Sequence, residues 1–598
     1  MRRSPTTKNK SRALALPCAL LALVATLAFG AEKTEKTTEK KPEKKTENVE
    51  ITGLDAAQTA NVRAHLDLDE EACDAPDWRV EQEYKAAPEK IRTALEALGY
   101  YEPRIDPSLD RTSQCWHAKF AIRIGAPTLV RKLDVELAGE AAKDSEFVKA
   151  RDQSPVKVGA VLNHGDYEAL KRRWLDLATE RGYADAKFTE NRIDVYPEQR
   201  VADIVLHFDS GKRYVFGAIS FQQDVLTDEL IHSYVKIHRG DPYDGRQLNT
   251  LYTALANSGY FRNIEVRPAA ADRDSGEIPV DIVLSAAKRR TISYGVGYST
   301  DTGPRFRFSR NNRRVNEEGH QFGITAQVSP LVSELTVNYR MPINDPRTDW
   351  LAFDAGVKSE HTETADSDSL QIGARRLTRQ RHDWYRATII TFLIEDFTVG
   401  AETGRAQLLM PGVDWTRVHE DNTIRANRGY KLELEARGAS DAIVSDSSFV
   451  QVILHGKWIW SPSEQSRILF RSVLGAMEES DFAKLPPSVR FFAGGDNSIR
   501  GYDYNTLGPT DATGQVIGGS DLAVASLEFE HKVRPHWSVA VFVDSGNAFN
   551  SGAFDAKTGA GIGARWLSPL GPIRVDVAHP FEDPAHSWRL HITLGPDL

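Results

Sequence analysis

From Arg289 to Leu598 helical periodicity disappears, and apolar residues recur at every second position between turns rich in Gly, Asp, Asn and Ser. Segments such as "SELTVNYRM", "SSFVQVILHGKWIW", "DLAVASLEFE" and "SWRLHITL" read as strands with two unlike faces. In "WSVAVFVD", Trp537, Val539, Val541 and Val543 form an apolar face, and Ser538, Ala540, Phe542 and Asp544 the other. In the last strand Leu590, Ile592 and Leu594 alternate with Arg589, His591 and Thr593. Apolar-out, polar-in alternation over strands of about ten residues is the pattern of a transmembrane β-barrel. The count is sixteen strands, and an even number leaves both ends of the tract on the same side of the membrane. The best later apolar run, "ATIITFLI" (Ala387–Ile394), is far too short for a helical span. A membrane crossing must therefore use a closed sheet, because hydrocarbon leaves no other way to satisfy backbone polar groups.

The N-terminus places Arg2, Arg3, Lys8, Lys10 and Arg12 before an apolar run from Ala13 to Phe29, with Ala28 and Gly30 at the small-residue positions. This reads as a secretory signal peptide over residues 1–30, cut before Ala31. Residues 31–48 are almost all Lys, Glu, Thr and Pro and read as a disordered tether. Cys18 is lost with the leader, so Cys73 and Cys115 remain, and an even pair in an exported chain suggests a disulfide. A net charge of −9 with 27% charged residues argues against a general nucleic-acid binder.

Between tether and strand tract a pattern occurs three times: "ALEALGYYEPRI", "DLATERGYADAKF" and "ALANSGYFRNIEV". Each helical stretch runs into Gly-Tyr and then a strand, with Gly99, Gly182 and Gly259 as left-handed caps. Strands open and close each unit, giving a β-α-α-β-β order. The expected domains are 49–125, 126–211 and 212–287, followed by a barrel over 288–598. Open sheet edges on such units suit pairing with an extended partner strand.

The segment "FFAGGDNSIRGYDYNTLGP" (Phe491–Pro509) falls between strands eleven and twelve of this count. Its glycines could belong to a surface loop or a phosphate cradle, but no Gly-Lys-Ser/Thr and no helix follows. Together with "GGSDLAVASLEFE", "FVDSG" and "GARWLSPLGPIRVDVAHPF", it resembles the outer-membrane assembly and polypeptide-transport barrels, a superfamily that includes BamA, the TamA proteins and secretion pores. Three repeats rather than five, "LPPSVRFFAGGDNSIRGY" and the ending "LGPDL" resemble the TamA branch; the final Leu598 departs from the aromatic usual in outer-membrane barrels.

That resemblance implies three POTRA-like domains in the periplasm and a 16-stranded antiparallel barrel in the outer membrane. It implies that the sixth loop folds into the barrel, where Arg500 meets Asp544 and Glu528. Parity independently puts both carboxylates on the face opposite the apolar one. Gly501 would let the backbone pass closely, and Tyr502 would pack on the wall. A seam between first and last strands would open sideways, with Ile292, Tyr294 and Val296 on one edge and Leu590, Ile592, Leu594 and Pro596 on the other. Pro596 cannot donate to a ladder, and Gly295 and Gly297 soften the first strand. Implied partners are a TamB-like protein anchored in the inner membrane, membrane lipids, and unfolded outer-membrane and autotransporter clients. Two rival readings use the same fold: a phospholipid conduit with the same partner, and a pore secreting one dedicated polypeptide. "GAGIGA" (Gly559–Ala564) reads as alternating glycine within strand fourteen. The sequence shows no cofactor motif, metal cluster or Ser/His/Asp arrangement, so the chain reads as non-enzymatic.

Overall fold

A computed structural model describes residues 48–111, 115–422, 425–568, 571–583 and 588–594. The leader, nearly all of the charged tether, and Pro596 lie outside the described residues. The chain divides into two compact units, one holding the first repeat with segments of the second, the other holding the remainder.

The first repeat runs β1 (Val49–Thr52), α1 (Ala56–His65), α2 (Asp77–Glu96), β2 (Arg104–Arg111) and β3 (Trp116–Arg123). Its sheet has the order β1-β3-β2, with β1 parallel and β2 antiparallel to β3. Asp55 starts α1 through a capping box with Gln58, satisfying amides that the first helical turn leaves bare. Alternation on β3 turns Trp116, Ala118, Phe120 and Ile122 inward onto Val80, Ala87, Ile91 and Leu95 of α2. Cys73 and Cys115 form a disulfide beside this core.

The second repeat comprises β4 (Leu129–Ala138), α3 (Ser145–Asp152), α4 (His164–Arg181), β5 (Lys187–Tyr196) and β6 (Val201–Asp209), with sheet order β4-β6-β5. The third has β7 (Val215–Gln222), α5 (Asp228–Ser233), α6 (Gly245–Asn257), β8 (Phe261–Pro268) and β9 (Glu277–Ala286), in the order β7-β9-β8. All three sheets thus place the last strand in the middle.

The repeated Gly-Tyr does more than end a helix. Gly99 and Gly182 have φ of +87° and +79°, the left-handed region that favours glycine. Each also offers its carbonyl to the next repeat, Gly99 O accepting from Thr128 N at 2.8 Å and Gly182 O from Tyr214 N at 2.8 Å. A Cβ on Gly99 would sit 2.3 Å from Leu162 O, and one on Gly182 2.6 Å from the Tyr243 Cβ. At the first of these joints the Tyr101 hydroxyl lies 2.7 Å from His164 Nε2, and burial holds that imidazole below its ordinary pKa.

The third repeat is fastened to the turn between the second and third barrel strands. Tyr260 donates its hydroxyl proton to Gly319 O, Arg314 reaches Val225 O, and Thr227 N donates to Glu317 O at 3.0 Å. Trp350 packs against the same repeat's core.

Sixteen strands, from the first (Arg290–Ser299) to the sixteenth (Arg589–Leu594), follow one another in sequence order in one antiparallel sheet. Val539, Val541 and Val543 face outward, about half exposed, while Ser538, Ala540, Phe542 and Asp544 are buried within. Among the described residues no ladder joins the first strand to the sixteenth, so the barrel is nearly closed rather than sealed.

Candidate functional site

The eleventh strand (Ser466–Glu479) and the twelfth (Asp521–Arg534) are joined by residues 480–520, and this connection enters the barrel. Arg500 is its most tightly held side chain, only 5% exposed. Its Nε and Nη2 donate to Asp544 Oδ2 and Oδ1 at 2.7 and 2.9 Å, two parallel bonds that fix orientation as well as position. Its Nη1 donates to Glu528 Oε2 at 2.7 Å and to Asp576 Oδ2 at 3.1 Å. The guanidinium carbon lies 3.4 Å from the centre of the Phe542 ring, which adds a cation–π contact.

The acidic wall comes from three neighbouring elements: Glu528 on the twelfth strand, Asp544 on the thirteenth (Trp537–Phe549) and Asp576 on the fifteenth (Gly571–Pro580). Arg565, on the intervening fourteenth strand (Lys557–Ser568), donates to Glu528 Oε1 at 2.8 Å and to Asp576 Oδ1 at 2.5 Å. Two arginines therefore share three carboxylates, and each carboxylate in this water-shielded knot has a cationic partner.

The alternating glycines of strand fourteen make room for it. A Cβ on Gly559 would fall 1.9 Å from Arg500 O, and one on Gly563 1.8 Å from Asp576 Oδ1. Gly561 is equally filled, with Val577 O 2.1 Å from its would-be Cβ. "GAGIGA" is thus alternating strand glycine, whose inward positions leave room for the loop backbone at Gly559 and for side chains and backbone of the wall at Gly561 and Gly563.

Gly501 has φ +106° and passes close to Pro580. Tyr502 is buried and donates to Glu582 Oε2 at 2.8 Å. A second anchor, absent from the sequence reading, is Arg490, which donates to Glu402 Oε2 at 2.9 Å and to the carbonyls of Leu485 and Ile517.

At the seam Ile292, Tyr294 and Val296 point outward, Val296 being 83% exposed. The sequence reading placed these residues on one edge of the seam and Leu590, Ile592 and Leu594 on the other, with the register left open. In the structure Ile592 meets Thr300, just past the end of the first strand: Thr300 N donates to Ile592 O at 3.3 Å, and Ile592 N to Thr300 Oγ1 at 3.0 Å. The described sixteenth strand, Arg589–Leu594, thus lies beside the C-terminal end of the ten-residue first strand.

Asp576 and Arg565 escaped sequence reasoning although both lie in the stretch "GARWLSPLGPIRVDVAHPF". Their signal was a charged residue at inward parity, opposite outward apolar neighbours such as Ile562 and Trp566, and Val575 and Val577.

The comparisons agree with this geometry. Residues 280–596 match the Omp85 superfamily domain, residues 48–124 the POTRA domain TamA domain 1, and residues 214–286 a POTRA family described as surface antigen variable number repeat. An outer membrane protein assembly factor BamA from Neisseria meningitidis is 23% identical over 84% of this chain and 71% of its own length. One from Nitratidesulfovibrio vulgaris is 21% identical over 70% of this chain, and the match spans 56% of that relative's length. The crystal structure of Haemophilus ducreyi BamA lacking POTRA domains 1–3 superposes with a TM-score of 0.65 at 15% identity, covering 78% of this chain and 99% of that one. The barrel is accordingly an outer-membrane barrel with its POTRA domains in the periplasm, and the chain belongs to the Omp85 superfamily.

Proposed function

We propose that this protein is an assembly factor of the TamA type. Its periplasmic domains, bounded at 49–125, 126–211 and 212–287, receive unfolded outer-membrane proteins and autotransporters, and its barrel inserts them. A TamB-like protein anchored in the inner membrane is its partner. The match of residues 48–124 to a TamA-specific POTRA model and the assembly-factor names of its relatives support this reading.

The observation that carries it is the unmatched pair of sheet ends. Along Ile292–Tyr298 the first strand has no ladder partner on its outer side among the described residues, and the described sixteenth strand runs from Arg589 to Leu594. A bare edge is a template for another strand, and in hydrocarbon an incoming strand gains a hydrogen bond for each backbone group it covers. Arg500, Glu528, Asp544 and Tyr502 then act as a lock that keeps the loop seated while the edge is used.

The test is a reversible tether. Extending the register set by Thr300 and Ile592 puts Tyr298 opposite Leu594, so Tyr298→Cys with Leu594→Cys is the pair to oxidise, with disulfide geometry deciding whether it closes. The tethered protein is expected to keep the heat-resistant gel mobility of a folded barrel, to stop inserting clients into liposomes, and to recover on reduction. Insertion at the untethered rate would rule out the sideways route. Loss of phospholipid transfer with insertion intact would favour the lipid conduit.

A further inference from the structure

Asp496, four residues before Arg500, is buried and takes part in neither anchor. Its carboxylate accepts from Ser299 Oγ at 2.7 Å, from Thr300 Oγ1 at 2.8 Å and from His591 Nδ1 at 2.5 Å. Its backbone N–H donates to Asp301 Oδ2 at 2.7 Å. Ser299, Thr300 and Asp301 end the first strand and begin its turn, whereas His591 lies on the sixteenth. One loop residue is therefore bonded to both free ends of the sheet.

Asp301, Asp496 and His591 bring ligand atoms within 4.8 Å of one another, as a metal trio would. The histidine's other bond argues against that use. Gly501 N–H can only donate, and it points at His591 Nε2 at 2.8 Å. Nε2 therefore holds the lone pair and Nδ1 the proton, so the nitrogen facing Asp496 is a donor rather than a ligand.

Thr300 has a matching constraint. A hydroxyl has one proton; here it goes to Asp496, which turns the oxygen's lone pairs to Ile592 N–H. The loop carboxylate thereby sets the direction of one of the two bonds that join Ile592 of the last strand to Thr300.

We propose that Asp496 is a clasp across the seam, acting through His591 on one side and Ser299 and Thr300 on the other, so that unseating the loop and parting the strands are one event. This rests on the sideways-opening reading above and adds to it the residue that couples loop to seam.

The experiment is hydrogen exchange on the full-length protein in liposomes, following the loop (490–505) and the last strand (589–594). Asp496→Ala is expected to speed exchange at the Ile592 amide by at least about tenfold, together with the loop, while the ladder between strands twelve and thirteen keeps its parental rate. Thr300→Val, which leaves every charge in place, guards against a variant that does not fold and is expected to expose the Ile592 amide as well. His591→Phe combined with Asp496→Ala is expected to be less than additive. Exchange of 589–594 within about twofold of the parent in both Asp496→Ala and Thr300→Val, with the loop freed in the first, would overturn the clasp. Client insertion by the same variants is read separately. A loosened seam without a change in insertion keeps the clasp and removes the sideways route.

Discussion

The first POTRA repeat and the barrel interior both hold together segments far apart in sequence, and they do so with opposite chemistry. In the repeat, Phe120, Ile91 and Leu95 bury apolar surface away from water, and a disulfide closes the rim. In the barrel the strands turn side chains such as Val539, Val541 and Val543 outward, and the inner surface around Arg500 is charged, with Arg565, Glu528, Asp544 and Asp576. The loop also rests on small apolar clusters, Leu485, Val489 and Phe491 against Met410 and Phe449, and Ile499 and Tyr502 against Val524. At the lock itself, anchoring relies on paired charge and on close backbone approach.

The contrast is broken most directly at Arg500. Arg500→Ala takes from Asp544 its bidentate partner, with Arg565 still holding Glu528 and Asp576, and is expected to weaken loop seating by about 3–5 kcal/mol, read as protease cleavage within 480–520 of a barrel that still shows heat-resistant mobility. Asp544→Asn is expected to give a similar but smaller release, with a less than additive double mutant. Fully additive losses would mean that the pair is not coupled. On the other side of the comparison, reducing the Cys73–Cys115 bridge is expected to lower first-repeat stability by about 4 kcal/mol in the chain-entropy model. Denaturant melting should show this loss with the barrel transition unmoved; a shift in both would remove the distinction.

Smaller effects sharpen the picture. Gly559→Ala adds one methyl group against Arg500 O and is expected to cost about 1–3 kcal/mol of loop seating. Gly295→Ala, whose Cβ would meet only Arg307 Cβ at 3.7 Å, is expected to change almost nothing. A further small effect is a pH dependence at the first joint between repeats. Burial holds His164 below its ordinary 6.5, so its contribution is present above that value and is lost as pH falls through the depressed one. Melting of the repeats is expected to be lower near about pH 5 than at neutrality, and His164→Leu is expected to abolish the difference. An unchanged pH response in that variant would place its origin elsewhere.

Much of this was legible in the sequence, and what was not has a common cause. Period-two alternation exposed the strands and their number, because each strand reports its own two faces locally. It also put Asp544 and Glu528 on the inward side. Parity names a face but not a height along the barrel, and the stagger of a closed sheet decides which inward residues meet. Asp576 and Arg565 therefore stayed hidden, although each is as plainly inward as Asp544. The meeting of Ile592 with Thr300 stayed open for the same reason. The Gly-Tyr repeats read as helix caps because a cap is local. Their second use, as seats for the following repeat, depends on Leu162 and Tyr243, more than sixty residues downstream in each case.

The fastening of the third repeat has a mechanical consequence. If the short link after Ala286 were the sole attachment, any pull on the periplasmic chain would load the first barrel strand, whose outer edge carries no ladder among the described residues. Tyr260 on Gly319, Arg314 on Val225 and Thr227 on Glu317 move that load to the turn between the second and third strands, both of which are laddered on each side. The arrangement is a strain relief: tension arriving from the periplasm reaches the sheet beside the seam without tugging on it.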